Sequence, residues 1–261
     1  MKAIILAAGE GTRLKKYTEE LPKGMLLFDG KTLIERQIEI YRKCGIDKII
    51  IVRGFEADKI KYEGVTYYTN YDYKNTNMVE SLMTAREEFD EDIIISYSDI
   101  LFEEEMLLKM MKQEDDYSVA VDDNWKFYWE KRYGKIDFDI ESLVIGNDDN
   151  IIELGLEDCS LDKIDARYIG LLKFSKKALE EIVSILKEAY FEYEDKPWQQ
   201  SGKVIRKAYM TDLLNAIIQL QGSVKAVHFQ NGWIEFDTNE DYEKACQWLK
   251  DGSINKLIKV E

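Results

Sequence analysis

The sequence predicts an α/β fold: a mixed, mostly parallel sheet flanked by helices. Three observations carry that prediction. Short apolar runs of strand length alternate with amphipathic stretches of helix length through the first half of the chain. The opening run, residues 2–7, empties directly into a loop bearing Gly9 and Gly11. Beyond about residue 115 the alternation loosens into strands separated by loops, with no internal repeat and no low-complexity linker, which reads as an inserted region within one domain.

Each element has its own warrant. Residues 2–7 are a continuous apolar run of buried-strand length. Residues 31–44 place Leu33, Ile34, Ile38 and Tyr41 on one helical face, with Gly45 just past the end. Residues 47–52 and 65–68 are the next strands. Asn77 is placed to cap a helix whose apolar stripe is Met78, Leu82, Ala85 and Phe89. A strand at 92–96 and a helix around 103–111 complete the first half. Strands are expected around 117–121, 136–145, 150–154 and 168–174. Helices follow at 175–191 and 208–220, strands near 224–229 and 233–237, and a last helix at 239–250. The reading is one domain over 1–261, divided into a first half (1–115), the inserted region (116–235) and a C-terminal segment (236–261).

Composition removes several function classes. The chain has 261 residues, 45% of them apolar, so it can bury a sizeable core. A formal net charge of -15 argues against a nucleic-acid partner, which needs clustered Lys and Arg. A small phosphorylated ligand, by contrast, needs only a few well-placed cations. Cys44, Cys159 and Cys246 are odd in number and far apart, so a disulfide framework is not expected. With His228 the single histidine, and set in a strand-like segment, zinc sites and His-dependent nucleophiles lack ligands and bases. The opening segment reads as no signal peptide and no apolar run approaches a membrane span, so a soluble cytoplasmic protein with no membrane partner is expected.

The most specific motif is Leu6-Ala7-Ala8-Gly9-Glu10-Gly11-Thr12-Arg13-Leu14, followed by Pro22-Lys23. The missing side chains at Gly9 and Gly11 let backbone N–H groups face a polyphosphate. Arg13 supplies a rigid fork of donors, and Lys23 a point charge suited to a phosphoryl group that changes its charge. A Walker A loop would need Gly-Lys-Ser/Thr where Gly11-Thr12-Arg13 stands. A dinucleotide fingerprint would need Gly or Ala where Leu14 stands.

This string resembles the signature of the nucleotidyltransferase superfamily that makes sugar nucleotides and CDP-activated alcohols. The resemblance implies a Rossmann-like core whose first loop, Leu6 to Arg13, wraps the nucleotide, with Arg13 and Lys23 contacting the triphosphate. It also implies that Asp99, after the apolar strand, and Asp237, in Trp233-Ile234-Glu235-Phe236-Asp237, hold Mg²⁺ between them. Two converging carboxylates suit that ion, which takes oxygen ligands and keeps waters and phosphates.

Base readers are expected at Gly54 and in Asn75-Thr76-Asn77-Met78-Val79-Glu80-Ser81-Leu82. Asn-x-x-x-Ser-Leu resembles phosphocholine cytidylyltransferases, and the amide of Asn77 with the hydroxyl of Ser81 could read a cytosine edge. Asn77 could equally cap its helix, or do both. Further strings resemble cytidylyltransferases acting on small amino-bearing phosphates or phosphonates. These supply Asp122, Trp125, Trp129, Glu153, Tyr168, Gly170 and Thr211 as acceptor-binding residues, with the tryptophans beside carboxylates holding an amine. Trp125 and Trp129, four apart, could instead be a core stripe.

The resemblance therefore implies CMP transfer from CTP to a phosphorylated or phosphonate acceptor such as phosphocholine, aminoethylphosphonate or phosphoglutamine. A homodimer is compatible with it. A hexose-1-phosphate uridylyl- or thymidylyltransferase is the runner-up, disfavoured by a missing Gln-x-x-Pro-x-Gly-Thr-Ala segment. A non-catalytic nucleotide sensor is the alternative from another class.

Overall fold

Seven strands form the central sheet of the computed structural model, which describes residues 1–260. They are β1 (Lys2–Ala7), β2 (Ile49–Arg53), β3 (Thr66–Thr69), β4 (Ile93–Tyr97), β5 (Tyr117–Asp122), β6 (Arg167–Phe174) and β7 (Lys225–Phe229). Their order is β7-β5-β6-β4-β1-β2-β3. Only β6 runs antiparallel to its neighbours β4 and β5; the other pairings are parallel. All six residues of β1 are buried, as expected where both faces of a sheet are covered. Ala3, Ile5 and Ala7 point into one core and Ile4 and Leu6 into the other, the two-residue period of a strand.

The helices supply the covers: α1 (Leu33–Lys43), α2 (Met78–Thr84), α3 (Glu104–Met111), α4 (Trp125–Tyr133), α5 (Lys176–Glu192), α6 (Met210–Gln221) and α7 (Asn239–Asp251). α1 starts in a capping box, with Thr32 accepting from Glu35 N and the Glu35 side chain accepting from Thr32 N. Its buried face includes Leu33, Ile34, Ile38 and Tyr41, and Gly45 follows at φ 85°.

Region 116–235 contributes β5, β6 and β7 to the same sheet, and adds a two-stranded ribbon of Glu141–Ile145 with Ile151–Glu157. The expected strand at 136–145 begins only at Glu141. The stretch before it alternates like a strand, but Asp139 sits at φ 50°, in the left-handed region that breaks extended pairing. Helix α4 was not among the elements expected from the apolar pattern.

One small ribbon decides the position of the site. Past β4 the chain turns through Ser98 and Asp99 into Ile100–Phe102, which pairs antiparallel with Trp233–Glu235. Phe236 N then donates to Asp99 O at 3.0 Å. Among the described residues no helix is long and apolar enough to cross a membrane, and the three cysteines are free.

Candidate active site

The glycine loop owes its shape to a few close contacts. Gly11 adopts φ 63°, and a Cβ there would stand 3.3 Å from the Cβ of Lys23. Its carbonyl accepts from Leu14 N at 2.9 Å and from the Thr18 hydroxyl at 3.1 Å. Pro22 leads into the single turn Lys23–Met25. There a Cβ on Gly24 would fall 2.7 Å from Ile34 and 2.9 Å from Ser98. Only a residue without a side chain lets this turn lie against the end of β4, and that places Lys23 beside Asp99.

Asp99 is held from behind by Gln37 of α1, which is fully buried. The Gln37 amide donates to Tyr97 O at 2.8 Å and to Ile100 O at 2.7 Å, bracketing Asp99, while Ser96 donates to its oxygen at 2.8 Å. A buried amide with all these partners satisfied is a rigid strut. Asp237 is held by α7: Asp241, at the start of that helix, accepts from Asp237 N at 3.2 Å and Thr238 N at 2.8 Å. Arg132 of α4, 1% exposed, pairs with both oxygens of Asp241 at 2.7 Å, contacts Glu235, and stands 3.7 Å from Asp237.

Lys23 joins the two carboxylates. Its ammonium donates to Asp99 Oδ2 and to Asp237 Oδ1, both at 2.7 Å, so those oxygens lie no further apart than twice that distance. Arg13 reaches Asp237 Oδ2 at 3.2 Å and Asp139 at 3.9 Å. Burial works against the Lys23 ammonium, but Asp99 and Asp237 outweigh it and hold its pKa above the ordinary lysine value. Burial likewise opposes the charge on Asp237, yet Lys23 and Arg13 hold that carboxyl well below the usual aspartate range. Both groups are therefore charged at neutral pH. Among the described residues no cluster of three or more His, Cys, Asp and Glu side chains could hold a metal. What the site offers is two carboxylates that already share one cation.

Two adjoining clefts open on this centre. The first, about 180 Å³, is lined at one end by Leu6, Ala8, Gly9 and Gly11, and at the other by Asn77 and Ser81, with Lys23 and Asp99 between. Asn77 does cap α2, its Oδ1 accepting from Met78 N at 2.9 Å, which leaves its Nδ2 without a partner among the described residues. Ser81 accepts from Asn70 at 3.2 Å, so its own proton is free to donate. Tyr73, Thr76, Tyr97 and Ser98 also line this cleft; Thr76 lies within the expected base-reading segment, and Tyr73, just before it, carried no signal of its own. Ala7 lies in β1 with 3% exposure, behind the loop. Gly54 also stands behind it, where a Cβ would meet Ala8 O at 2.5 Å; it shapes the loop without lining the cleft.

The second cleft, about 500 Å³, shares Met78, Tyr97 and Asp99 with the first and is also lined by Thr12, Arg13 and Asp237. Tyr168 and Thr211 line it too, and Gly170 lies behind the Tyr97 ring, 2.6 Å from where a Cβ would sit. Several of its residues were not singled out from the sequence, among them Asp139, Glu141, Glu157, Arg167 and Tyr209.

Four expected acceptor residues lie elsewhere. Trp125 and Trp129 are 1% and 0% exposed, in an edge-to-face aromatic cluster with Tyr128, Tyr133 and Trp233. Their spacing is the core face of α4, and no substrate can reach them there. Asp122 is fully buried, and its oxygens are taken by Trp233 Nε1 at 2.9 Å, Asn124 N at 2.8 Å and Asn231 N at 3.1 Å. Its carboxylate ties β5 to the Trp233 strand instead of holding an amine. Glu153 stands outside the cleft lining, 3.4 Å from Lys163.

A glycine loop opening on a cleft, two cations and two carboxylates at strand ends, on a mostly parallel sheet, define a nucleotidyltransferase type of protein. The model of the MobA-like NTP transferase domain matches residues 3–192, and the chain belongs to that family. It is 35% identical over 254 residues to the CTP:phosphoglutamine cytidylyltransferase of Campylobacter jejuni, covering 93% of this chain and 98% of that protein. It is 30% identical over 257 residues to the choline-phosphate cytidylyltransferase of Streptococcus pneumoniae, covering 96% and 99%. The solved CTP:phosphocholine cytidylyltransferase of S. pneumoniae superposes with a TM-score of 0.70 over 95% of this chain and 98% of that one; at 24% identity this is likeness of fold alone.

Proposed function

We propose that this protein transfers CMP from CTP to a small phosphorylated or phosphonate acceptor bearing an amine, releasing pyrophosphate. The observation that carries the reading is the junction of the two clefts. The cations that would face a triphosphate and the carboxylates that would hold a divalent ion meet there, at Lys23, Asp99 and Asp237.

The acceptor's phosphate oxygen attacks the α-phosphorus of CTP, a new P–O–P bond forms, and the α–β bridge breaks with its electron pair leaving on pyrophosphate. Arg13 and Lys23 neutralise charge developing on the oxygens around that phosphorus. No side chain needs to serve as nucleophile or general base, because the phosphate is already anionic. Asp99 and Asp237 fit Mg²⁺, since both already converge on one cation, and the ion would polarise the α-phosphate when bound. Gln37 and Asp241 orient those carboxylates.

Asn77 Nδ2 and the Ser81 hydroxyl face the first cleft with donor capacity to spare, which suits the acceptor-rich O2/N3 edge of cytosine. The second cleft carries Asp139, Glu141, Glu157, Asp158 and Glu235 against two arginines, which favours a cationic amine on the acceptor. Crossing the four nucleoside triphosphates with phosphoglutamine, phosphocholine and aminoethylphosphonate, with and without Mg²⁺, and reading pyrophosphate tests the proposal. CTP with one amino-bearing acceptor and Mg²⁺ is the expected productive combination. Equal or better turnover with UTP or dTTP on every acceptor refutes it.

A further inference from the structure

Two arginines line the second cleft, and they differ in one respect. Arg13 is paired with Asp237 and Asp139. Arg167, by contrast, makes no hydrogen bond and no ion pair among the described residues, and its Nη1 is buried without a partner. Glu141 and Glu235 feel its charge, but neither carboxylate comes within ion-pairing distance. Buried donors are almost always satisfied, so an orphan at a cleft wall calls for a ligand group.

The guanidinium is also held still. Its Cζ lies 4.4 Å from the ring centroid of Trp129. That ring is fully buried and anchored by its Nε1 donating to Phe138 O at 2.9 Å. Arg167 opens β6, where its backbone is in register with Asp122 of β5. Trp129 thus serves the cleft indirectly, as the platform on which a cation is stacked. A stacked, unpaired guanidinium presents a planar fork of donors that matches an oxyanion two bonds at a time.

We infer that Arg167 clamps an oxyanion of the acceptor. The inference rests on the cytidylyltransferase reading above and extends it. Arg13 also lines the second cleft and not the first, so KM for CTP is what separates an acceptor clamp from a contact with the nucleotide's own phosphates. Two groups share the required chemistry: the acceptor's phosphate, and the carboxylate that a phosphorylated amino acid carries and a phosphorylated amino alcohol lacks.

The test uses Arg167→Met, which keeps length over Trp129 but no charge or donors, and Arg167→Lys, which keeps charge without the fork. Pyrophosphate release is measured at saturating CTP against phosphoglutamine and against phosphocholine, beside KM for CTP and the melting temperature. Arg167→Met is expected to raise KM for the acceptor about 10- to 100-fold, the loss typical of a charged hydrogen bond. KM for CTP and the melting temperature should change little, and Arg167→Lys should recover part of the loss. A rise with both acceptors assigns the phosphate; a rise with phosphoglutamine alone assigns the carboxylate. Unchanged acceptor KM, or an equal rise for CTP, overturns the inference. If the unmodified protein turns over no combination, the cytidylyltransferase reading falls separately. Calorimetric binding of the two acceptors then decides on Arg167: equal binding to unmodified and Arg167→Met protein, or binding to neither, overturns it.

Discussion

Replacing Asp237 with Asn separates two views of the acidic centre. Counting charge alone, a chain at -15 should welcome the loss of a carboxylate from a cluster of acids. The structure gives the opposite sign. Asp237 accepts from Lys23 at 2.7 Å, pairs with Arg13 at 3.2 Å and lies 3.7 Å from Arg132, so its charge is spent on cations. Breaking one partner of a buried pair costs about 3–5 kcal/mol, but Lys23 and Asp237 both keep 15% side-chain exposure and Lys23 retains Asp99. We therefore expect about 2 kcal/mol for Asp237→Asn, allowing for that exposure and partial compensation. For a domain of this size that is a fall of about 4–8 °C in melting temperature. Asp99→Asn, which removes only the Lys23 pair, should cost less.

The pH dependence follows from the depressed pKa of Asp237. A carboxyl held below its unfolded value contributes stability that is present above the ordinary aspartate range and lost as pH falls through the folded pKa. The difference between the unmodified protein and Asp237→Asn should thus be full at pH 7 and shrink as the pH drops below the aspartate range. Thermal unfolding at several pH values, paired with pyrophosphate release, is the assay. Both single variants should lose most turnover, and the double variant should be little slower than either, because the proposed Mg²⁺ needs both carboxylates. An Asp237→Asn protein that melts at or above the unmodified temperature at pH 7 would refute the ion-pair account of the centre.

Three further outcomes follow. Lys23→Ala should lower kcat on the order of 10²–10³ with a smaller effect on CTP binding, measured by titration; near-normal turnover would remove Lys23 from the chemistry. Gln37→Leu should leave the Tyr97 and Ile100 carbonyls unpaired, costing about 1–3 kcal/mol in denaturant unfolding, and should lower kcat by loosening Asp99. Stability loss with unchanged kcat would show that the strut is structural only. Trp129→Ala should cost about 3–5 kcal/mol, as expected for a large aromatic in a core, and should also raise acceptor KM by freeing Arg167; an unaltered melting temperature would contradict its burial.

The role of Asp99 came from the resemblance, but the glycine turn after β1, with Arg13 and Lys23 in its string, and the place of Asp99 at the end of an apolar run were legible because each is a local pattern. Backbone geometry over a few residues is enough to specify them, and the same holds for the cap at Asn77. Tyr73, which lines the same cleft, was not legible, since its place there depends on how a loop folds over the end of β1.

Residues whose meaning depends on distant partners divide from these. Asp237 was placed by resemblance, but it is the ribbon of Ile100–Phe102 with Trp233–Glu235 that carries it to Asp99. Trp125 and Trp129 read equally well as binding groups or core, and Asp122 as a binding group alone; only packing against Trp233 and the cost of leaving a buried carboxylate unpaired decide for the core. Arg167 carried no reading of its own in the sequence. Nothing in Ala166-Arg167-Tyr168 separates a surface arginine from a ligand clamp, and what distinguishes it is that neither Glu141 nor Glu235 comes within ion-pairing distance once the chain is folded. Local sequence determined where the chain turns out of β1 through Gly9 and Gly11. Long-range packing decided which side chains are spent on one another and which remain free for a substrate, because pairing is set by proximity in space and not by order along the chain.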